Sequence, residues 1–265
     1  MLKLLLLPIL LYLAVVIAVW ALQDRILFPS GMVGAAPALP ATTERLVLDT
    51  PGGARLRGVH IPPSSGKGAG PLILGFGGNA WNAEAMALYL HDLYPGADVA
   101  AFHYRGYPPS SGVLGAAALI ADAPLVYDLV ANRFPGRPIV AIGFSVGSGV
   151  AASLAGKRKL AGLILVTPFD SLEALAGGHY PWLPIRWLLR HKMPVADWLG
   201  GTAVPVALIA GQADTLVPAR RTDALRRAVP NLVYDRTIGG TGHDDIYQHP
   251  AFRAAMAEAL EKVGR

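Results

Sequence analysis

Residues 141–150 read AIGFSVGSGV and place Ser145 midway between Gly143 and Gly147. An apolar run typical of a buried strand precedes the serine, and a stretch of small residues follows it. In that setting G-x-S-x-G is typical of a nucleophilic serine on a tight strand-to-helix turn. The chain contains 30 glycines, however, so the motif also fits a glycine-rich turn with a capping serine. The choice depends on whether the rest of the chain supplies partners for the serine.

The composition is that of a chain with a large buried core. Of 265 residues, 53% are hydrophobic and 15% are charged, which suits one large α/β domain or two small ones. The absence of cysteine excludes disulfides and thiolate metal sites. The net charge of +5 comes from scattered basic residues that are not interleaved with aromatic ones, so we expect no nucleic-acid partner.

The N-terminus carries a long uncharged apolar segment. Residues 4–22 contain no charge and are interrupted only by Pro8, and a bilayer span needs about 20 such residues. We therefore predict a transmembrane helix that anchors the protein through residues 1–24, in a single pass. A cleaved signal peptide ending near Ala21 and a buried helix of a soluble domain are the alternatives. Lys3 precedes the span, which favours a cytoplasmic N-terminus and a main domain on the non-cytoplasmic side.

The remaining chain, residues 25–265, alternates strand-length and helix-length segments after an uncharged linker at residues 29–43. The predicted helices are 83–94, 116–134, 148–157 and 251–262, and the predicted strands are 45–49, 54–61, 71–76, 97–103, 138–143, 163–166, 204–209 and 232–237. The first two strands flank a Pro-Gly-Gly turn and predict an antiparallel hairpin. Continuous apolar strands separated by helices predict a parallel sheet covered on both faces. The fold class is thus α/β, with a mostly parallel, twisted, eight-stranded sheet and helices on both faces.

Two later loops offer partners for Ser145. A serine hydroxyl is a weak nucleophile until a base and a group that orients the base act on it. In α/β folds with this motif, the chain order is serine, then acid, then histidine. Asp214 follows the strand at 204–209, and His243 lies in a glycine-rich loop after the last predicted strand. We predict that Asp214 is the orienting acid and His243 the general base.

Other acids compete with Asp214. Asp170 also follows a strand, and its purely structural alternative is to cap a helix together with Ser171. Asp244 adjoins His243, but neighbouring residues rarely turn their side chains toward each other. Asp214 itself has a structural alternative, as a cap for the helix that begins near Pro218.

An oxyanion hole requires two backbone N–H groups aimed at the developing charge. We predict that one belongs to Val146, the residue after the serine. The other is predicted to be the N–H of Asn79, in the loop after the third strand, where Gly77 and Gly78 allow close approach to substrate. A phosphate-cradling loop is disfavoured because G-x-x-x-x-G-K-[ST] is absent.

These residues resemble the α/β-hydrolase superfamily over residues 25–265. More narrowly, the chain resembles the membrane-anchored ABHD-type serine hydrolases, a branch related to the prolyl oligopeptidase catalytic domain. The motifs that carry the resemblance are ILFP at 26–29, GNA at 78–80, YRGY at 104–107, SG at 111–112, GFSVG at 143–147, TPFDS at 167–171, GQAD at 211–214 and GH at 242–243. The branch often has histidine at the position of Gly77 and aspartate at that of His103, and both departures concern the floor of the pocket.

The resemblance implies attack by Ser145 on a carbonyl, an acyl-enzyme and release by water, with no metal or organic cofactor. It also places a small lid-like insertion at residues 172–201, where Trp182 and Leu183, with Tyr180, Leu188 and Leu189, either line an acyl-binding groove or pack in a core.

The leading hypothesis is a membrane-anchored hydrolase of carboxylic esters or thioesters, acting on a small-molecule or lipidic substrate. A serine peptidase or amidase and a catalytically silent binding scaffold are the alternatives. Oligomeric state cannot be read from the residues.

Overall fold

The computed structural model describes residues 2–64 and 70–264. Met1 and Arg265, the outer ends of the two expected domain ranges, lie outside the described residues. The strands are β1 (Glu44–Asp49), β2 (Arg55–Ile61), β3 (Leu72–Phe76), β4 (Asp98–Phe102), β5 (Ile139–Phe144), β6 (Gly162–Val166), β7 (Val206–Gly211) and β8 (Leu232–Ile238). They form one sheet in the order β1-β2-β4-β3-β5-β6-β7-β8.

The sheet is antiparallel at one edge and parallel elsewhere. Strands β1 and β2 form the predicted hairpin, and β2 runs antiparallel to β4. The pairs from β4 and β3 through to β7 and β8 are all parallel. Every residue of β3 to β7 is buried, which explains their continuous apolar sequences. The predicted fold class is confirmed.

Helices cover both faces of this sheet. Their bounds are α1 (Leu2–Leu27), α2 (Ala83–Leu93), α3 (Ala116–Arg133), α4 (Val146–Ala152), α5 (Leu172–His179), α6 (Ile185–Leu188), α7 (Val195–Leu199), α8 (Ala219–Ala228) and α9 (Pro250–Val263), with short 3-10 helices at Ser30–Met32 and Ile246–Gln248. Helices α2 and α9 pack into one apolar cluster and α3, α4, α7 and α8 into another, on opposite faces of the sheet. The chemically important loops are left at the carboxyl edge of the parallel strands, where ligands bind in such sheets.

One predicted helix is displaced and shortened. The segment predicted as a helix over 148–157 is helical at Val146–Ala152 and continues as turns. Its first helical residue is Val146, directly after Ser145. It ends earlier because the hydroxyl of Ser153 donates to the carbonyl of Val150 (2.7 Å), a local bond that competes with helix continuation. Similarly, β7 begins at Val206 because Pro205 has no N–H to donate to a neighbouring strand.

Helix α1 is longer than its uncharged segment and has two halves. By length and composition, Leu6–Met32 is long and apolar enough to cross a membrane, and signal sequences also meet these criteria. Of its most apolar 18 residues, 6% are buried in the protein. Residues 6–11 are exposed all round. Further along, Val16, Val19 and Leu27 pack against the domain. With the buried Gln23 they recur at spacings of three, four and four residues, which define one helix face.

The segment between β6 and β7 covers residues 172–201, which the sequence predicts to be a lid-like insertion. It contains the three short helices α5, α6 and α7, and it packs beside the second half of α1. The predicted linker at 29–43 runs over the surface, where the amide of Asn82 donates to the carbonyl of Gly34 (3.0 Å).

Candidate active site

Ser145 occupies a strained turn between β5 and α4. Its φ of 51° is unusual for a residue with a side chain, and strain of this kind collects at functional sites. The turn closes because its flanking residues lack side chains: a Cβ on Gly143 would lie 2.3 Å from the carbonyl oxygen of Gly147, and one on Gly147 would lie 2.2 Å from that of Phe76. The glycines of the motif are therefore required by backbone contact, as the strand-to-helix reading predicts.

Two hydrogen bonds in series connect Ser145 to a carboxylate. The Nε2 atom of His243 lies 2.9 Å from the Oγ of Ser145. The Nδ1 atom of the same ring lies 2.8 Å from Oδ2 of Asp214. An ionised carboxylate only accepts, so we assign the proton to Nδ1, which leaves Nε2 free to accept from the serine hydroxyl. The structure thus brings together the three residues that the sequence singled out.

Neighbouring backbone groups fix the acid and the histidine loop. The second carboxylate oxygen of Asp214, whose side chain is 3% exposed, accepts from the N–H of Val217 (2.7 Å). The N–H of Ala213 donates to the carbonyl of Thr241 (2.8 Å), which joins the acid loop to the histidine loop. The N–H of Gly242 donates to Asp245 (2.6 Å) directly before the histidine. Both loops are therefore held independently of any substrate.

The competing acids have other surroundings. Asp170 accepts from Arg221 (3.1 Å), an ion pair between the start of the insertion and α8. Asp244 is exposed. Of these carboxylates, Asp214 is the one hydrogen-bonded to the ring of His243.

The loop after β3 lies against the serine turn. A Cβ on Gly78 would lie 3.7 Å from that of Ser145, so this backbone approaches the serine closely. Two tyrosines that follow β4 hold the loop: Tyr104 donates to the carbonyl of Gly77 (2.9 Å), and Tyr107 donates to Oδ1 of Asn79 (3.0 Å). Within residues 2–64 and 70–264, no hydrogen bond takes up the N–H of Asn79 or of Val146. Both groups thus remain available to an oxyanion.

His103 and Glu84 form a buried pair beneath this loop. The His103 ring lies 3.6 Å from the Glu84 carboxylate, which also pairs with Arg45. Burial lowers the pKa of His103, although the nearby Glu84 opposes the shift. His103 therefore folds most favourably as a neutral ring, which is how the chain accommodates histidine at this position.

An open cleft of about 540 Å³ lies over Ser145. Trp81, Tyr89 and Tyr247 form an aromatic wall, in which the rings of Trp81 and Tyr247 lie 5.3 Å apart. Burial raises the pKa of Tyr89 to about 12 and also raises that of Tyr247, so both hydroxyls stay neutral near neutral pH. The cleft thus offers an apolar aromatic surface beside the nucleophile, and the carboxylate of Asp244 also lines it.

The predicted substrate-binding residues divide between this cleft and elsewhere. Gly78 and Asn79 line it, whereas Gly77 lies just behind them. Trp182 and Leu183 do not line it: Trp182 is 55% exposed on the insertion, and Leu183 is buried in the core. The aromatic wall was missed from sequence, although Trp81 follows Gly78 by three residues and Tyr247 follows His243 by four. Among the described residues, no cluster of His, Asp and Glu could hold a metal ion.

Several known proteins are similar to this chain. The family described as Hydrolase_4, serine aminopeptidase S33, matches residues 71–200. The uncharacterized protein Rv2307c of Mycobacterium tuberculosis is 36% identical over 239 residues, covering 87% of this chain and 84% of that protein. The lysophosphatidylserine lipase ABHD12 of Danio rerio is 27% identical over 223 residues, covering 72% of this chain and 58% of that protein.

Solved structures share the fold at low identity. An esterase of Pyrococcus furiosus, PF2001, superposes with a TM-score of 0.66 at 18% identity and covers 86% of this chain and 97% of its own. A membrane phospholipase A, a bacterial virulence factor, superposes with a TM-score of 0.63 at 17% identity and covers 98% and 99%. Together with the sheet order and the sequence relatives, these similarities establish the family. The chain belongs to the α/β-hydrolase superfamily, as an esterase/lipase-type hydrolase that resembles the ABHD-type members.

Proposed function

We propose that the protein is a membrane-anchored serine hydrolase that cleaves carboxylic ester or thioester bonds through Ser145, His243 and Asp214. One observation carries the proposal. The hydroxyl, the imidazole and the carboxylate are joined by hydrogen bonds of 2.9 and 2.8 Å, with the hydroxyl at the floor of an open cleft. This is the arrangement that a serine nucleophile requires.

The first half of the reaction forms an acyl-enzyme. As the Oγ of Ser145 attacks the substrate carbonyl carbon, its proton passes to Nε2 of His243, and the resulting imidazolium is stabilised by Asp214. The carbonyl oxygen becomes an oxyanion, which the N–H groups of Val146 and Asn79 stabilise. The bond to the leaving alcohol or thiol then breaks, and that group takes the proton from Nε2.

The second half reverses these roles with water. Nε2 of His243 accepts a proton as the water oxygen attacks the acyl carbon. Collapse of this second oxyanion breaks the bond to the Oγ of Ser145, which recovers the proton from the imidazolium. The carboxylic acid leaves, and the enzyme is regenerated without a cofactor step.

The substrate class is proposed to be a lipidic ester. An aromatic, uncharged wall suits an acyl chain better than it suits a charged peptide. The apolar helix α1 would keep the cleft near lipid. ABHD12 is named a lysophosphatidylserine lipase, and one structural neighbour is a membrane phospholipase A, which lends support to a lipid substrate.

We further propose that residues 1–24 form the anchor and residues 25–265 the hydrolase domain, with residues 172–201 as its insertion. The domain is proposed to lie on the non-cytoplasmic side because Lys3 precedes the span. The orientation can be tested by adding a protease to cells whose cytoplasmic membrane is intact and accessible from outside. We expect the protease to degrade the domain, and a domain protected from the protease would reverse the assignment.

A peptidase activity is the second candidate, because the matching family is described as a serine aminopeptidase. A substrate panel separates the two. We expect turnover of p-nitrophenyl esters of increasing chain length and of acyl-thioesters, with an initial burst of p-nitrophenol, and no turnover of aminoacyl anilides. Ser145→Ala should abolish both burst and turnover. Preferred cleavage of anilides would favour the peptidase, and a burst retained in Ser145→Ala would overturn the mechanism.

A further inference from the structure

Residues 180–189 of the insertion are bonded along the second half of α1. The hydroxyl of Tyr12 donates to the carbonyl of Trp182 (3.0 Å), although these residues are 170 positions apart. Further along the helix, the amide of Gln23 donates to the carbonyl of Leu188 (3.3 Å) and accepts from the N–H of Arg190 (2.8 Å). The helix and the insertion therefore form one unit from Tyr12 to Gln23.

This contact conflicts with a helix that crosses the bilayer alone. Only residues 2–11 of α1 extend beyond the contact with Trp182, and ten helical residues span about 15 Å. The hydrocarbon core is about 30 Å thick. Twelve residues, or about 18 Å of helix, separate Tyr12 from Asp24, the first charge after the span. With Asp24 at the membrane surface, the backbone of Trp182 lies near the bilayer midplane.

The backbone of residues 180–189 is suited to such an environment. In hydrocarbon, polar backbone groups must be satisfied within the protein. Pro181 and Pro184 have no N–H, and the N–H groups of Tyr180, Leu183, Ile185, Trp187, Leu188 and Leu189 each donate to a backbone carbonyl. The carbonyls of Trp182 and Leu188 accept from α1, and that of Arg186 accepts from Lys192. Six of the eight N–H groups in the segment are thus satisfied within the described part of the protein, and those of Trp182 and Arg186 are not.

Its exposed side chains are of the kind found at membrane interfaces. Tyr180 is 49% exposed, Trp182 55% and Trp187 82%. Tryptophan is enriched where hydrocarbon meets headgroups, which is the depth of Trp187 beside Leu188 and Gln23, whereas Trp182 lies deeper, at the depth of Tyr12. At the end of the span, Arg190 pairs with Asp24 (2.9 Å) and its guanidinium lies 5.4 Å from the ring centroid of Trp20. Arg190 and Asp24 thus mark one depth, and Arg186, the one charged side chain among residues 180–189, is exposed and extends its head group toward the headgroup region when the segment enters the bilayer.

We propose that residues 180–189 enter the bilayer beside α1 and form a second membrane-embedded element. The proposal rests on the anchoring role of α1 proposed above. The same segment leads to the cleft, because His179 is hydrogen-bonded to the carbonyl of Leu216 (2.8 Å), and Leu216 lines the cleft together with Pro29, which follows α1. The mouth of the cleft therefore opens at the membrane surface, where a lipid ester enters from the leaflet.

The native chain lacks cysteine, so single cysteines can report depth. We suggest Trp182→Cys and Trp187→Cys as test positions, Ile9→Cys on the free half of α1, and Ala254→Cys, exposed on α9 at the other face of the sheet. Each full-length variant is labelled with an environment-sensitive nitrobenzoxadiazole probe. It is then reconstituted into phosphatidylcholine vesicles that contain lipids carrying a nitroxide quencher near the headgroup or at mid-chain. Circular dichroism checks that each labelled variant is folded.

We expect the probe at 182 to lose fluorescence most with the mid-chain quencher and the probe at 187 most with the shallow one. The probe at 254 should lose none. Quenching at 9 without quenching at 182 would overturn the inference while leaving the anchor intact. No quenching at 9 would instead remove the proposed anchor, and the inference with it. If a second copy of the chain covered Trp182 instead of lipid, the probe at 9 would be quenched and the probe at 182 would not.

Discussion

The substitution Asp214→Asn tests the assignment of the orienting acid without changing the shape of the side chain. The carboxylate of Asp214 accepts from two donors, the Nδ1–H of His243 (2.8 Å) and the N–H of Val217 (2.7 Å). An amide has one accepting oxygen and one donating NH₂ group. If the oxygen faces Val217, the NH₂ group faces Nδ1, which must then lose its proton to accept. The proton moves to Nε2, and the ring can no longer accept from Ser145.

The expected loss is large and specific to turnover. In the Ser-His-Asp template, the wrong histidine tautomer costs about 10⁴-fold in kcat, or about 5.4 kcal/mol at 1.36 kcal/mol per decade. In the other amide orientation, the NH₂ group faces the N–H of Val217. Two hydrogen-bond donors in contact destabilise that orientation, so it does not restore the native tautomer at low cost. We expect kcat for a p-nitrophenyl ester to fall by this factor and KM to change little.

Asp170→Asn is the matched control. It removes the ion pair of Asp170 with Arg221, whose side chains are 15% and 21% exposed. The expected loss is about 1.5–3 kcal/mol of stability, typical of a hydrogen bond between charged groups, with kcat within a few-fold of the native value. A native-like kcat in Asp214→Asn combined with a large loss in Asp170→Asn would refute the reasoning and move the acid to Asp170.

Three further substitutions probe the supports of the site. Tyr107→Phe removes the hydrogen bond to Asn79 (3.0 Å) and should lower kcat on the order of 10- to 100-fold with little change in KM, since it misplaces one oxyanion donor; an unchanged kcat would count against that role. Gly147→Ala places a Cβ 2.2 Å from a carbonyl oxygen at the end of β3, so thermal unfolding should show a loss of about 1–3 kcal/mol or more, whereas Gly156→Ala, with no atom within 4 Å, should be tolerated. Equal midpoints for the two variants would contradict the packing argument. Burial lowers the pKa of His103 from its ordinary 6.5, so the unfolded chain binds more protons and stability should fall as pH drops below about 6.5 toward the lowered pKa. Urea unfolding across pH should show a shallower fall in His103→Gln, and equal slopes would exclude His103 as the source.

Much of the fold follows from local sequence signals. From β3 onward, strand-length runs alternate with helices, and the continuous burial of β3 to β7 leaves a parallel sheet as the simplest arrangement. Chain order then predicts which loops meet at the carboxyl edge. Ser145 and His243 could be chosen in this way because few other residues of their type follow a strand at that edge. Asp214 was predicted over Asp170 from chain order, but both residues follow strands, and side-chain direction is what separates them.

The surroundings of the cleft were much less predictable. The insertion has no single periodicity, so Trp182 and Leu183 fitted a groove and a core equally well. The structure places Leu183 in the core and exposes Trp182 beside α1. That placement depends on a contact between Tyr12 and Trp182, 170 positions apart in the chain, and no local pattern encodes it. The tyrosines at 104 and 107 were visible as a motif, but their bonds to Gly77 and Asn79 require the fold.

The central claim is that Ser145 is a nucleophile activated by His243. Its most direct test is covalent labelling of the purified full-length protein with a fluorophosphonate probe, followed by mass spectrometry of the modified peptide. We predict a single phosphonyl adduct on Ser145, strong loss of labelling in His243→Ala and no labelling in Ser145→Ala. Folded protein that remains unlabelled, or that carries the adduct on another serine, would contradict the account.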